Sequence, residues 1–258
     1  MSYIVADKLS KKFGKGDAAV AAVADISFQI GEGDFVAVMG ESGAGKSTLL
    51  GIMGAMNAPT SGKLVVDDID IYGLGQEQRT DFRREFLGFI FQSFHLVPYL
   101  TVIENVLLPL AVVKSGKKKK RQMAEEALAQ VGLLEKARRL PNQISGGEKE
   151  RVAIARSIVN EPPILLADEP TGNLDTKTTR EIMELLLRFN QEGMTIVMVT
   201  HSPACAGYAQ RIMRVTDGRL AEDDPKLRSI EKWERNDRKR EPLRSQDQQR
   251  MAAGLLTG

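Results

Sequence analysis

Residues 40–48, Gly40-Glu41-Ser42-Gly43-Ala44-Gly45-Lys46-Ser47-Thr48, directly follow the apolar run Phe35-Val36-Ala37-Val38-Met39. They fill every position of the phosphate-binding loop pattern: a glycine, four residues, then Gly-Lys-Ser. A buried strand turning sharply into a helix at that point points to an α/β nucleotide-binding architecture. The glycines let successive backbone N–H groups face inward, and the dipole of the following helix adds positive potential at the same place. Lys46 offers a mobile cation to β- and γ-phosphate oxygens, Ser47 a hydroxyl to Mg²⁺, and Thr48 a contact to the α-phosphate. A binder of nucleoside triphosphates is therefore expected. The competing reading is a glycine-rich turn that only caps a helix, and the apolar Leu49, Leu50, Ile52 and Met53 that follow argue against it.

A length of 258 residues suits one nucleotide-binding α/β domain carrying an inserted subdomain. A hydrophobic fraction of 42% and a charged fraction of 27% fit a soluble globular chain, and a net charge of +2 gives no reason to expect nucleic acid as a partner. Cys205 is the single cysteine, so no intrachain disulfide can form; its plain reading is a small buried side chain. The start, Met1-Ser2-Tyr3-Ile4-Val5-Ala6-Asp7-Lys8, meets charge before a signal-type apolar segment develops. No stretch reaches the roughly 18 apolar residues of a spanning helix. Any membrane role is expected to run through a partner or at the surface.

Ile26, Phe28 and Ile30 alternate with polar residues and predict a half-buried strand, and Leu64-Val65-Val66 with Ile69 and Ile71 predict a short pair. A helix is expected over 76–86 and a strand over 87–91. Thr101-Val102-Ile103-Glu104 has the form of a capping box. Helices are expected over 102–113 and 121–131, within an inserted helical subdomain spanning about 94–163. The Lys117-Lys118-Lys119-Lys120-Arg121 run reads as a solvated loop leading into the second helix, with attraction to anionic lipid headgroups as the alternative. Ile164-Leu165-Leu166-Ala167 and Thr195-Ile196-Val197-Met198-Val199 read as strands buried on both faces, joined by a helix over 178–190 into a parallel βαβ unit. Asp217-Gly218 between apolar runs signals a hairpin. Residues 1–222 are expected to form the folded domain. Residues 223–258 form a charged tail, in which Leu227, Ile230 and Trp233 stand at helical spacing; disorder or docking on a partner both remain open.

Asp168 and Glu169 stand at the carboxyl end of the 164–167 run, where nucleotide sites of open α/β sheets lie. Asp168 is expected to hold Mg²⁺, and Glu169 to accept a proton from or polarise the water that attacks the γ-phosphorus. Two acids capping a neighbouring helix is the plainer alternative. Ser145-Gly146-Gly147 forms a second exposed anion surface, with a hydroxyl and free N–H groups at a helix start.

Ile144-Ser145-Gly146-Gly147-Glu148, continuing to Arg156, resembles the signature motif of ATP-binding cassette proteins and precedes the Asp168-Glu169 pair as in that family. The resemblance implies an α/β fold: a P-loop NTPase with a mixed sheet core, an antiparallel β layer and an inserted α-helical subdomain. It also implies a homodimer in which two ATP molecules, with Mg²⁺, are sandwiched between the phosphate loop of one subunit and the signature of the other. By the same resemblance Gln92 is the Q-loop glutamine, contacting Mg²⁺ or the attacking water. Asp175 belongs to the D-loop that joins the two sites. His201 is the switch histidine facing the γ-phosphate, and Phe13 stacks on adenine, with a core phenylalanine as the competing reading. Catalytic roles are thus expected for Glu169, His201, Gln92 and Lys46. The nucleotide is expected to touch Phe13, residues 40–48, Ser145, Gly146, Gly147 and Glu148; the metal is expected at Ser47, Gln92 and Asp168. Ile144, Glu148 and Ser202 stand where the family more often has leucine, glutamine and aspartate.

Leu87-Gly88-Phe89-Ile90-Phe91-Gln92-Ser93-Phe94-His95-Leu96-Val97-Pro98-Tyr99-Leu100 and Ala167-Asp168-Glu169-Pro170-Thr171-Gly172-Asn173-Leu174-Asp175 resemble the LolD/MacB group of these ATPases. That implies a peripheral subunit at the cytoplasmic face of the bacterial inner membrane, under a MacB/LolC-E-type permease, powering lipoprotein or small-molecule export or transmembrane force transmission. Phe94, Leu96, Val97 and Leu100 are expected to line a groove for the permease, internal packing being the alternative. An FtsE-like scaffold that recruits partners by nucleotide state is the other functional reading.

Overall fold

In the computed structural model residues 2–14 and 19–224 are described. The tail expectations at Leu227, Ile230 and Trp233 lie outside them. β1 (Ser2–Phe13) and β2 (Val20–Gly31) form a long antiparallel pair. Only residues 26–30 of this pair were legible from alternation. Lys8 and Asp25 adopt positive φ (46° and 56°), and the register shifts around them, so bulges interrupt the two-residue period that marks a strand.

β3 (Phe35–Met39) is buried at every residue and runs through the loop into α1 (Lys46–Met53). β4 (Ser61–Val66) pairs with β1 and is followed by the short β5 (Ile69–Asp70), completing a four-stranded sheet in the order β2-β1-β4-β5. α2 (Gln76–Phe86) and β6 (Leu87–Ile90) follow.

The segment between β6 and the next strand carries α3 (Val102–Leu107), a 3-10 turn over Leu108–Val112, α4 (Lys117–Gln130) and α5 (Gly146–Ile158). The capping box at Thr101 is present: its hydroxyl oxygen accepts from Glu104 N at 3.4 Å, and Glu104 accepts from Thr101 N at 2.8 Å. The helix expected over 102–113 tightens at Leu108 because Pro109 has no N–H to give the α-helical ladder. The lysine run is a correction of a different kind. Lys117–Lys120 form the first turn of α4 after an extended Gly116, since lysine loses little rotamer freedom in a helix and four such residues extend it readily.

β7 (Ile164–Asp168), α6 (Thr176–Gln191) and β8 (Thr195–Val199) make the parallel crossover. After α7 (Pro203–Ala206), β9 (Arg211–Thr216) and β10 (Arg219–Asp224) form the hairpin, with Asp217 and Gly218 at φ 50° and 73°. That positive pair is the two-residue turn that Asp-Gly favours. The second sheet runs β10-β9-β3-β8-β7-β6, parallel except for the last hairpin strand, so it is mixed. β3, β8 and β7 are neighbours and share a direction, which brings the residues after Met39, Asp168 and Val199 to one edge of the sheet. Among the described residues no helix is long and apolar enough to cross a membrane.

Candidate nucleotide site

Gly45 explains why the loop after β3 takes its shape. Its φ is 97°, and a Cβ there would lie 1.9 Å from the Ala22 carbonyl oxygen of β2, so only glycine fits. The loop is braced from the far end of the chain as well: Gly218 N donates to Ala44 O at 3.1 Å, and Ala24 N donates to Gly218 O at 2.7 Å. The sequence showed the Asp217-Gly218 turn but carried no sign that it buttresses a loop more than 170 residues upstream.

Lys46 is buried, and its ammonium donates to Gly40 O at 2.9 Å and Glu41 O at 2.8 Å. An ammonium has three donors, so two hold the loop closed on itself while one remains for an anion. Residues 40–44 line a cleft of about 630 Å³ together with His201, Arg214 and Asp217. Arg214 on β9 was missed from sequence, because nothing in its strand context distinguishes it from an ordinary solvent-facing cation.

Ser47 Oγ donates to Asp168 Oδ1 at 3.1 Å. Burial pushes the Asp168 carboxyl up, the Ser47 hydroxyl opposes that, and the neighbouring Glu169 charge adds to it. Glu169 comes next at φ 50°, its N–H donating to Val199 O at 3.0 Å, so β8 fixes the backbone that carries its carboxylate. His201 Nδ1 lies 2.8 Å from Glu169 Oε2; the acid is mostly buried and the imidazole mostly exposed. Ser202 caps α7 by accepting from Cys205 N at 3.3 Å.

Ser47 and Asp168 present two hard oxygen donors side by side. Among the described residues no group of three or more His, Cys, Asp or Glu could hold a metal on its own. A sparse oxygen set of this kind suits Mg²⁺, which is usually held by one or two carboxylates together with phosphate oxygens and keeps much of its water.

The remaining expected residues fall elsewhere. Gln92 lies just beyond β6, exposed. Phe94, Leu96, Val97 and Leu100 are half-buried rather than open, and Leu96 packs on the core. Arg156 of α5 ties this segment down by donating to Phe94 O at 2.7 Å and His95 O at 2.6 Å, a link the sequence did not announce. Phe13 ends β1 half exposed with the Lys11 ammonium 5.3 Å from its ring centroid, which removes the core reading.

Ser145 caps α5, accepting from Glu148 N at 3.3 Å, while Glu148 accepts from Ser145 N at 2.9 Å. Gly147 packs so closely on α6 that a Cβ would sit 2.3 Å from Thr178 Cγ2, whereas a Cβ on Gly146 would meet nothing nearer than 3.8 Å. Asp175 caps α6 beside them, accepting from Lys177 N at 3.0 Å and Thr178 N at 3.1 Å. The signature and Asp175 thus gather on α6, and neither lines the cleft at the phosphate loop.

A profile of the ABC transporter family matches residues 23–172. The chain belongs to the ABC transporter family. It is 44% identical to the ABC transporter ATP-binding protein YvrO of Bacillus subtilis, over 84% of this chain and 95% of that one. It is 42% identical to the lipoprotein-releasing system ATP-binding protein LolD of Bordetella pertussis, again over 84% and 95%. The solved dimer of the ATP-binding cassette MJ0796 of Methanocaldococcus jannaschii, bound to ADP and Pi, superposes with a TM-score of 0.80 at 39% identity, covering 86% of this chain and 98% of that one. This ABC cassette is an ATPase subunit of the LolD-like kind, and its fold is the mixed-sheet cassette with an antiparallel layer that the motifs implied.

Proposed function

We propose that two copies of this cassette close around two ATP molecules, each held by the phosphate loop of one copy and the Ser145-Gly146-Gly147 surface of the other. The observation that carries the reading is the separation within one subunit of two surfaces suited to anions: the cleft of residues 40–44 and His201, and the capped start of α5 against α6. One triphosphate in one compact chain has no use for both. The ADP- and Pi-bound MJ0796 dimer supports it.

Within that dimer Lys46 and the loop N–H groups bind the β- and γ-phosphates. Phe13 stacks on adenine beside Lys11. Ser47 and Asp168, together with Gln92, would hold Mg²⁺, which would supply charge neutralisation on the phosphates. Glu169 takes the proton of the attacking water, and His201, oriented by its contact with Glu169, faces the γ-phosphate. Ser145, Gly146, Gly147 and Glu148 complete the site from across the interface, next to Asp175.

The cassette works at the cytoplasmic face of a bacterial inner membrane beneath a MacB/LolC-E-type permease, in lipoprotein release or related export. The docking place is a cavity of about 350 Å³ lined by Arg83, Leu87, Phe89, Pro109, Val112 and Arg156, with the exposed Leu108 next to Pro109 in the chain. The occupant proposed for it is a cytoplasmic helix of the permease. The chemistry is tested by changing Ser145→Arg. The variant is expected to bind ATP as a monomer and to lose hydrolysis; a variant that hydrolyses ATP like the parent overturns the shared site.

A further inference from the structure

We infer that Lys136 is a positioning residue for ATP-driven closure of the dimer, one that neutralises Glu148 so that the signature surface accepts a polyphosphate. The inference rests on the shared-site reading above. Glu148 lies in the first turn of α5, where its Oε2 accepts from Ser145 N at 2.9 Å and its Oε1 meets the Lys136 ammonium. The ammonium's hydrogen bond, aided by that backbone N–H, holds the Glu148 carboxyl below the usual range, so the group is an anion.

A bare carboxylate at this helix start competes with phosphate for the same N–H groups and repels it. Paired with Lys136 it keeps its capping function and loses its net charge. The lysine is presented on fixed backbone. It ends the short turn Leu134–Lys136, and the carbonyls just beyond it, Ala137 O and Arg139 O, accept from Ile103 N and Val102 N at 2.9 and 2.8 Å. Those are free donors at the start of α3, the helix that follows the Gln92 segment. Lys136 therefore joins the signature to the helix that follows the Gln92 segment in sequence. Both side chains of the pair are partly exposed, at 45% and 24%, so salt should screen the effect.

The test uses the full chain in a Glu169→Gln background, where ATP-driven dimerisation is read by light scattering. Lys136→Met is expected to raise the ATP concentration for half-maximal dimerisation about tenfold at low salt, and by less at high salt. Glu148→Gln is expected to lower that concentration, and the double variant to recover most of the loss. Lys136→Arg should behave like the parent. Binding of Mg²⁺-ATP to the monomer, followed by fluorescence, reports that each variant is folded. A Lys136→Met variant that dimerises normally, or a loss that Glu148→Gln does not rescue, overturns the inference. The outcome stays separate from the shared-site reading, since that reading falls if Ser145→Arg hydrolyses ATP like the parent.

Discussion

His201 and Glu169 meet at 2.8 Å, Nδ1 to Oε2, although they leave two different strands of the sheet. The contact exists because β7 and β8 run parallel in register, Asp168 beside Val199, so the residues just past each strand end converge. A carboxylate so placed can orient the ring and still present its other oxygen to a water. Glu169→Gln should keep ATP affinity and lower turnover by about 10²–10⁴-fold, the usual worth of a positioned general base. His201→Ala should lower turnover while leaving ATP affinity close to the parent's. Single-turnover hydrolysis with radiolabelled ATP checks both, and near-parental turnover in Glu169→Gln would remove that residue from its role.

The two signature glycines differ in what they answer to. Gly147 has Thr178 of α6 against it, and an added Cβ at 2.3 Å forces a shift within the subunit. Gly146 has room, so nothing inside the chain demands a glycine there. Gly147→Ala is therefore expected to cost about 1–3 kcal/mol of stability by overpacking. Gly146→Ala should melt like the parent and be impaired only in ATP-driven dimerisation. Thermal unfolding of both variants decides it: equal melting temperatures for the two would contradict the packing argument.

The convergence of the residues proposed to be catalytic was legible because they are fixed by strand ends. Lys46, Asp168, Glu169 and His201 each follow a run of buried apolar residues, and parallel strands must deliver their carboxyl ends to one side. The braces were not legible. Gly218 reaching Ala44, Arg156 reaching Phe94 and His95, and Lys136 reaching Glu148 are contacts between segments far apart in sequence, and no local pattern encodes which partner a surface cation or a turn will find. The long first hairpin was obscured by its own bulges at Lys8 and Asp25, which break the alternation on which strand recognition depends.

Asp168 and Ser47 share a hydrogen bond, so each holds the other in place for a cation. Removing the charge while keeping the shape should weaken metal binding without unfolding the strand. Asp168→Asn is expected to raise the Mg²⁺ concentration for half-maximal hydrolysis about tenfold or more, since Asp168 is the charged member of the proposed ligand set and Mg²⁺ fills the rest of its shell with water and phosphate. Chelation by EDTA should abolish hydrolysis in the parent. Hydrolysis measured against Mg²⁺ concentration provides the check, and coincident curves for Asn and Asp would exclude Asp168 as the metal's anchor.

Glu150, on α5, is 2% exposed, and its Oε1 has no hydrogen-bond partner among the described residues. Burial pushes its carboxyl up to about 8 from an ordinary 4.5, with the Arg156 charge working against the rise. Between those two values the unfolded chain has lost the proton and the folded one still holds it. Folding stability therefore falls as pH rises from about 4.5 to about 8, and levels off above. Glu150→Gln removes that slope. At pH 8 the variant should be the more stable by about 4 kcal/mol, and near pH 4.5 the two should be close. Urea unfolding at several pH values measures the difference. A stability gap that stays constant across this range would show that the Glu150 carboxyl titrates in the folded chain as it does in the unfolded one.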